Sequence, residues 1–222
     1  MAQQTVPLAT SSTPTARQLA CGVVAGPLFI AVVLVQGVTR TGFDLSYHPL
    51  SLLSLGALGW IQISNFVVTG GLYIACAGGL RRALRHGRAG TWGPVLIGLN
   101  GIGLILAGVC LTDAGAGFPP GAPAGAPAHV SWHAILHEMG FLVASVAWLA
   151  ACFVFLRRFV TERRRRWVWA CVTTPIVVVV VDAWPDLHSL SLRLLIGSAV
   201  SFGFVAALAI QLIRAESGAA DR

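Results

Sequence analysis

The chain has 222 residues, 56% of them hydrophobic and only 10% charged, with a formal net charge of +7. A soluble domain carries about 25% charged residues, so the composition excludes an ordinary water-soluble protein and points to lipid as the solvent. All fifteen basic residues are Arg, and most stand in short clusters between apolar runs. Such clusters mark the cytoplasmic ends of spans, which argues against a nucleic-acid partner.

In chain order, residues 1–16 are rich in Gln, Thr, Ser, Pro and Ala without apolar periodicity, and read as a disordered tail. A first apolar run covers residues 19–38, long enough to span a bilayer at about 20 residues. A signal-peptide core is shorter, and no small-residue cleavage site follows in VTRTGF. The connection at residues 39–58 holds Asp44, Ser46 and His48, with Pro49 opposing a helix through His48. Further spans are expected at residues 60–80, 92–112, 132–156, 167–184 and 192–213, with a short polar tail at 215–222.

Six spans satisfy the positive-inside rule. With both termini cytoplasmic, thirteen arginines fall inside and only Arg40 and Arg193 outside. The fold class is therefore an all-α integral membrane bundle of six transmembrane helices over residues 17–214. Abundant Ala, Gly and Arg without Lys suggests a bacterial inner (cell) membrane, with membrane lipids as the immediate partners. Gly71, Ala75 and Gly79 form a small-residue stripe suited to close helix approach or to a homo-oligomer. Asn65 and Asn100 are placed for interhelical hydrogen bonds, and five cysteines without ligand spacing read as small apolar core residues.

The same topology gathers His48, His129, His133, His137 and His188 at the outer ends of spans, together with Asp44, Asp113, Asp182 and Asp186. His133 and His137 are four residues apart, so both rings leave one helix face. That spacing can supply two imidazoles to a zinc ion, with His48 as a third ligand. Asp113, Ser51 and Asp44 are then the candidates for handling protons or substrate. The same residues also fit a structural polar cluster in which Ser131 caps the fourth helix, or a proton or substrate pathway. Ala134 stands where a metalloprotease carries its base, and no phosphate-binding GxxxxGK[ST] loop is present. The segment FPPGAPAGAPAHV, with four prolines and no charge, is expected to be an irregular connection or a lid.

The runs HPLSLLSLGALGWIQISNFVVTGG, LTDAGAGFPPG and SWHAILHEMGF carry a resemblance to the prokaryotic multi-pass membrane family catalogued as domain of unknown function 998. It covers roughly residues 20–213 and implies six spans without implying an activity. A second likeness lies in residue order. His48 with Ser51, then Asp113, then His133 with His137, is similar to the zinc-dependent set of alkaline ceramidases and adiponectin-receptor-like proteins. It implies an intramembrane hydrolase of lipid amides or esters. Those proteins have seven spans, and their HxxxH does not open the fourth.

Overall fold

Lipid offers no hydrogen bonds to backbone N–H and C=O groups, so an apolar chain must pair them within each segment. In the computed structural model, which describes residues 14–84, 87–127 and 129–220, the chain does so as helices. They are α1 Pro14–Thr39, α2 Gly59–Leu84, α3 Gly87–Val109, α4 Trp132–Thr161, α5 Arg165–Asp182 and α6 Leu190–Ala220. Short 3₁₀ turns at Leu50–Ser54 and Leu187–Ser189 lie in the connections, and no strand is present among the described residues. The N-terminal tail expected at residues 1–16 lies outside the described residues up to residue 13. At the other end α6 continues through residues 215–220, expected as a polar tail.

Five helices, α1 to α4 and α6, are long and apolar enough to cross a membrane. The helix expected as the fifth span is the exception. Arg165 and Arg166 open α5 and Asp182 closes it. The uncharged residues 167–181 between them extend about 22 Å at ~1.5 Å per residue, against a bilayer core of about 30 Å.

Each helix packs on its neighbours in the chain, and α6 returns onto α1 to close a ring. Two crossings need glycine. A Cβ on Gly101 of α3 would stand 2.5 Å from the Gly70 carbonyl of α2. On Gly140 of α4 it would stand 2.6 Å from the Ala107 nitrogen of α3. The expected stripe on α2 is only partly the contact face. Gly79 packs against Leu19 of α1, whereas Gly71 has nothing within 4 Å because Gly70 occupies the approach.

Apolar side chains lie on both sides of the ring, with Phe29, Tyr73 and Phe155 in its core. Val35, Ile102, Leu142 and Phe153 point outward, while Gln36, Gln62, Asn65 and Asn100 are buried. The buried amides join helices as expected. Asn65 Nδ2 donates to the Phe29 carbonyl of α1 at 3.1 Å, and Asn100 Nδ2 to the Ala144 carbonyl of α4 at 2.9 Å. Gln36 Nε2 also donates to Gln62 Oε1 at 2.8 Å. Trp60, Trp92, Trp132 and Trp184 are exposed near helix ends, where interfacial anchors belong.

Candidate functional site

The α1–α2, α3–α4 and α5–α6 connections meet at the arginine-poor end of the ring. Each contains an aspartate that accepts hydrogen bonds from a nearby serine. Asp44 Oδ1 accepts from the Ser46 N–H at 2.8 Å and hydroxyl at 2.6 Å. Asp113 accepts from the Ser131 hydroxyl at 2.6 Å and N–H at 2.7 Å. Asp186 accepts from the Ser189 hydroxyl at 2.7 Å. Donors aimed at a carboxylate favour its charged form, and these serines hold all three carboxyls below the usual range.

His48 is buried, and both its ring nitrogens are occupied. Nδ1 accepts from the Asp44 N–H at 2.8 Å, and Nε2 donates to the Ala116 carbonyl at 2.8 Å. The imidazole therefore pins the first connection to the α3–α4 loop, and neither nitrogen is left for a metal. Phe43 and Phe118 pack around it at 5.3 and 5.7 Å.

His133 and His137 do share a helix face, and that face meets the end of α3. A carbonyl can only accept, so Nδ1 carries the proton in each ring. His133 Nδ1 donates to the Leu111 carbonyl at 2.8 Å, and His137 Nδ1 to Ala107 at 2.7 Å and Cys110 at 3.1 Å. Carbonyls at a helix C-terminus lack intrahelical partners, and the two histidines serve them. Ser131, the expected cap, accepts from the Ala134 N–H at 3.1 Å.

Among the described residues no three His, Cys, Asp or Glu side chains are grouped to hold a metal ion. The zinc expected at His133, His137 and His48 thus finds no ligand set, and the order of residues likened to the ceramidases is not a cluster in space. Asp44 is exposed and committed to its own turn.

Two of the expected residues, Ser51 and His137, come together elsewhere. They line a cavity of about 290 Å³ to which all six helices contribute, floored by Phe66, Leu104 and Phe202 and covered by Pro49 and Leu50. Glu138 of α4 and Asp182 of α5 also line it. A second volume of about 390 Å³ shares Leu104, Phe141, Asp182, Ser198 and Phe202 with the first, and adds Asn100 and Trp148. Together the two volumes extend from the polar connections towards mid-helix. Their size suits a lipid-like or drug-sized molecule.

Three residues of the walls have a buried polar atom without a hydrogen-bond partner: Asn100 Oδ1, Trp148 Nε1 and Asp182 Oδ1. Asn100, His137 and Trp148 are each at most 6% exposed. Arg193, the nearest guanidinium in sequence, interacts electrostatically with the Asp182 carboxylate but makes no hydrogen bond to its oxygens. It donates to the backbone carbonyls of Asp182 at 2.9 Å and Asp186 at 2.5 Å, capping α5. Sequence reasoning placed Asn100 and Asp182 at the right depth but not in one cavity. Their signal was an isolated amide and an isolated acid in apolar runs, which is costly unless used.

Neither a curated protein nor a solved structure matches the chain. The model of the family described as "Protein of unknown function (DUF998)" matches residues 23–215, which include α2 to α5, most of α1 and α6, and every residue of the cavity. By that match, over nearly the whole chain, the protein belongs to the DUF998 family.

Proposed function

We propose that the protein is a multi-pass membrane protein of the bacterial inner membrane, with six spans and both termini cytoplasmic. In this reading it binds a lipid or lipid-soluble small molecule within the helix ring. The observation that carries the binding reading is the cavity of about 290 Å³ lined from all six helices, which shares five wall residues with a second volume of about 390 Å³. The ring order supports α5 as a span despite its length, since it fills the position between α4 and α6. The two outer arginines, Arg40 and Arg193, fit the topology because each is held by backbone carbonyls. The polar cap of Asp, Ser and His side chains then has a structural task, holding the three connections over the cavity.

Native mass spectrometry of the chain released from lipid nanodiscs tests the binding. One retained adduct per chain, lost when Ser198→Phe or Ser201→Phe fills the cavity, is the expected result. Retained lipid that is indifferent to both substitutions would place it on the outer surface and sink the reading.

A further inference from the structure

The charged groups lining the two volumes are both acidic, Asp182 and Glu138. Asn100 Oδ1 and Asp182 Oδ1 are unpartnered. The His137 ring is engaged only through Nδ1, which leaves Nε2 as a third acceptor. Glu138 adds a second carboxylate, and neither Arg nor Lys lines either volume. The donors in the lining are neutral: Trp148 Nε1 and the hydroxyls of Ser51, Ser145, Ser198 and Ser201. The apolar remainder includes the rings of Phe29, Phe66, Phe141 and Phe202, whose faces attract a cation.

On the reading that the cavity binds an amphiphile, we infer that its ligand bears a protonated amine. An ammonium group supplies N–H donors towards His137 Nε2 and the positive charge that the Asp182 and Glu138 carboxylates favour. Its alkyl portion lies against the Phe and Leu walls. An anionic headgroup would face Asp182 and Glu138 with no Arg or Lys among the lining residues to receive it. A neutral alcohol supplies one donor and brings no charge to the two carboxylates. Charge-assisted hydrogen bonds are about twice as strong as neutral ones, so the amine is selected over the alcohol.

Thermal stability of the full chain in nanodiscs, titrated with micromolar dodecylammonium, dodecanol and dodecanoate, tests this. Dodecylammonium should raise the melting temperature at concentrations where the other two have no effect. Dodecyltrimethylammonium, which keeps the charge but has no N–H, should require more ligand. Asp182→Asn preserves shape and should weaken dodecylammonium about tenfold or more, as loss of a buried charge partner does. Glu138→Gln, at an exposed position, supplies a second variant whose folding is safe and should weaken it less. Equal stabilisation by all the chains, unchanged in both variants, would overturn the amine while leaving the binding cavity intact. No stabilisation by any of them, with no adduct in native mass spectrometry, would remove the binding reading itself.

Discussion

Asp113 accepts both the hydroxyl and the N–H of Ser131, at 2.6 and 2.7 Å, so the end of α3 is tied to the cap of α4 across seventeen intervening residues. Ser131 at the same time accepts from the Ala134 N–H. Ser131→Ala removes a cap and a carboxylate partner together, and should cost about 1–2 kcal/mol in reversible unfolding. Because the folded carboxyl of Asp113 lies below its unfolded value, its contribution is present above the unfolded pKa of about 4 and is lost as pH falls through the folded value. The stability gap between wild type and Ser131→Ala should therefore narrow below about pH 4. A gap that stays constant from pH 7 to pH 3 would show that Asp113 is not the partner that matters.

His48 stands at the corresponding position between the first and second outer connections. His48→Ala leaves the Asp44 N–H and the Ala116 carbonyl unpaired near the Phe43 and Phe118 rings. A cost of about 2–3 kcal/mol is expected for two such groups. With both nitrogens committed, His48 has none for a metal. Elemental analysis of untagged protein should give substoichiometric zinc, with no change in His48→Ala or in the His133→Ala/His137→Ala pair. One equivalent of zinc, lost in that pair, would restore the hydrolase alternative and show that the ring contacts to α3 rearrange on binding.

The sequence carried the helices because their apolar lengths and flanking arginines act locally, and Asn65, Asn100 and Ser131 fell into the roles that their types suggest. The histidines were harder to read. An i, i+4 pair states which face the rings leave, but not what faces them, and here it is the carbonyl end of α3. The cavity was hidden for the same reason. Asn100, Trp148, Asp182 and Ser198 sit on four different helices, and only the ring closure of α6 on α1 gives them a common space.

The short α5 provides a test of topology. In a background with the five native cysteines replaced by alanine, single cysteines at Ala124, Arg163 and Trp184 each occupy exposed connections. If α5 crosses, a membrane-impermeant thiol reagent added to intact spheroplasts should label the 124 and 184 positions, and reach 163 only after lysis. Labelling of 184 only after lysis would place both ends of α5 on the cytoplasmic side and break the six-span count.

The glycines separate contact faces from lipid faces without reference to any ligand. A Cβ at Gly140 would press on backbone atoms, 2.6 Å from the Ala107 nitrogen and 2.8 Å from the Gly103 carbonyl, which cannot rotate away. Gly140→Ala should therefore force α3 and α4 apart and cost about 1–3 kcal/mol. Gly71, one residue past the Gly70 crossing, has open space around its Cβ position. There Gly71→Ala should be neutral or stabilise α2 by up to about 1 kcal/mol, the helix-propensity difference between the two residues. Thermal unfolding of the two variants in one detergent decides it. A loss at Gly71 matching that at Gly140 would mean that the stripe on α2 meets a second copy of the chain, and that its outward face is an interface.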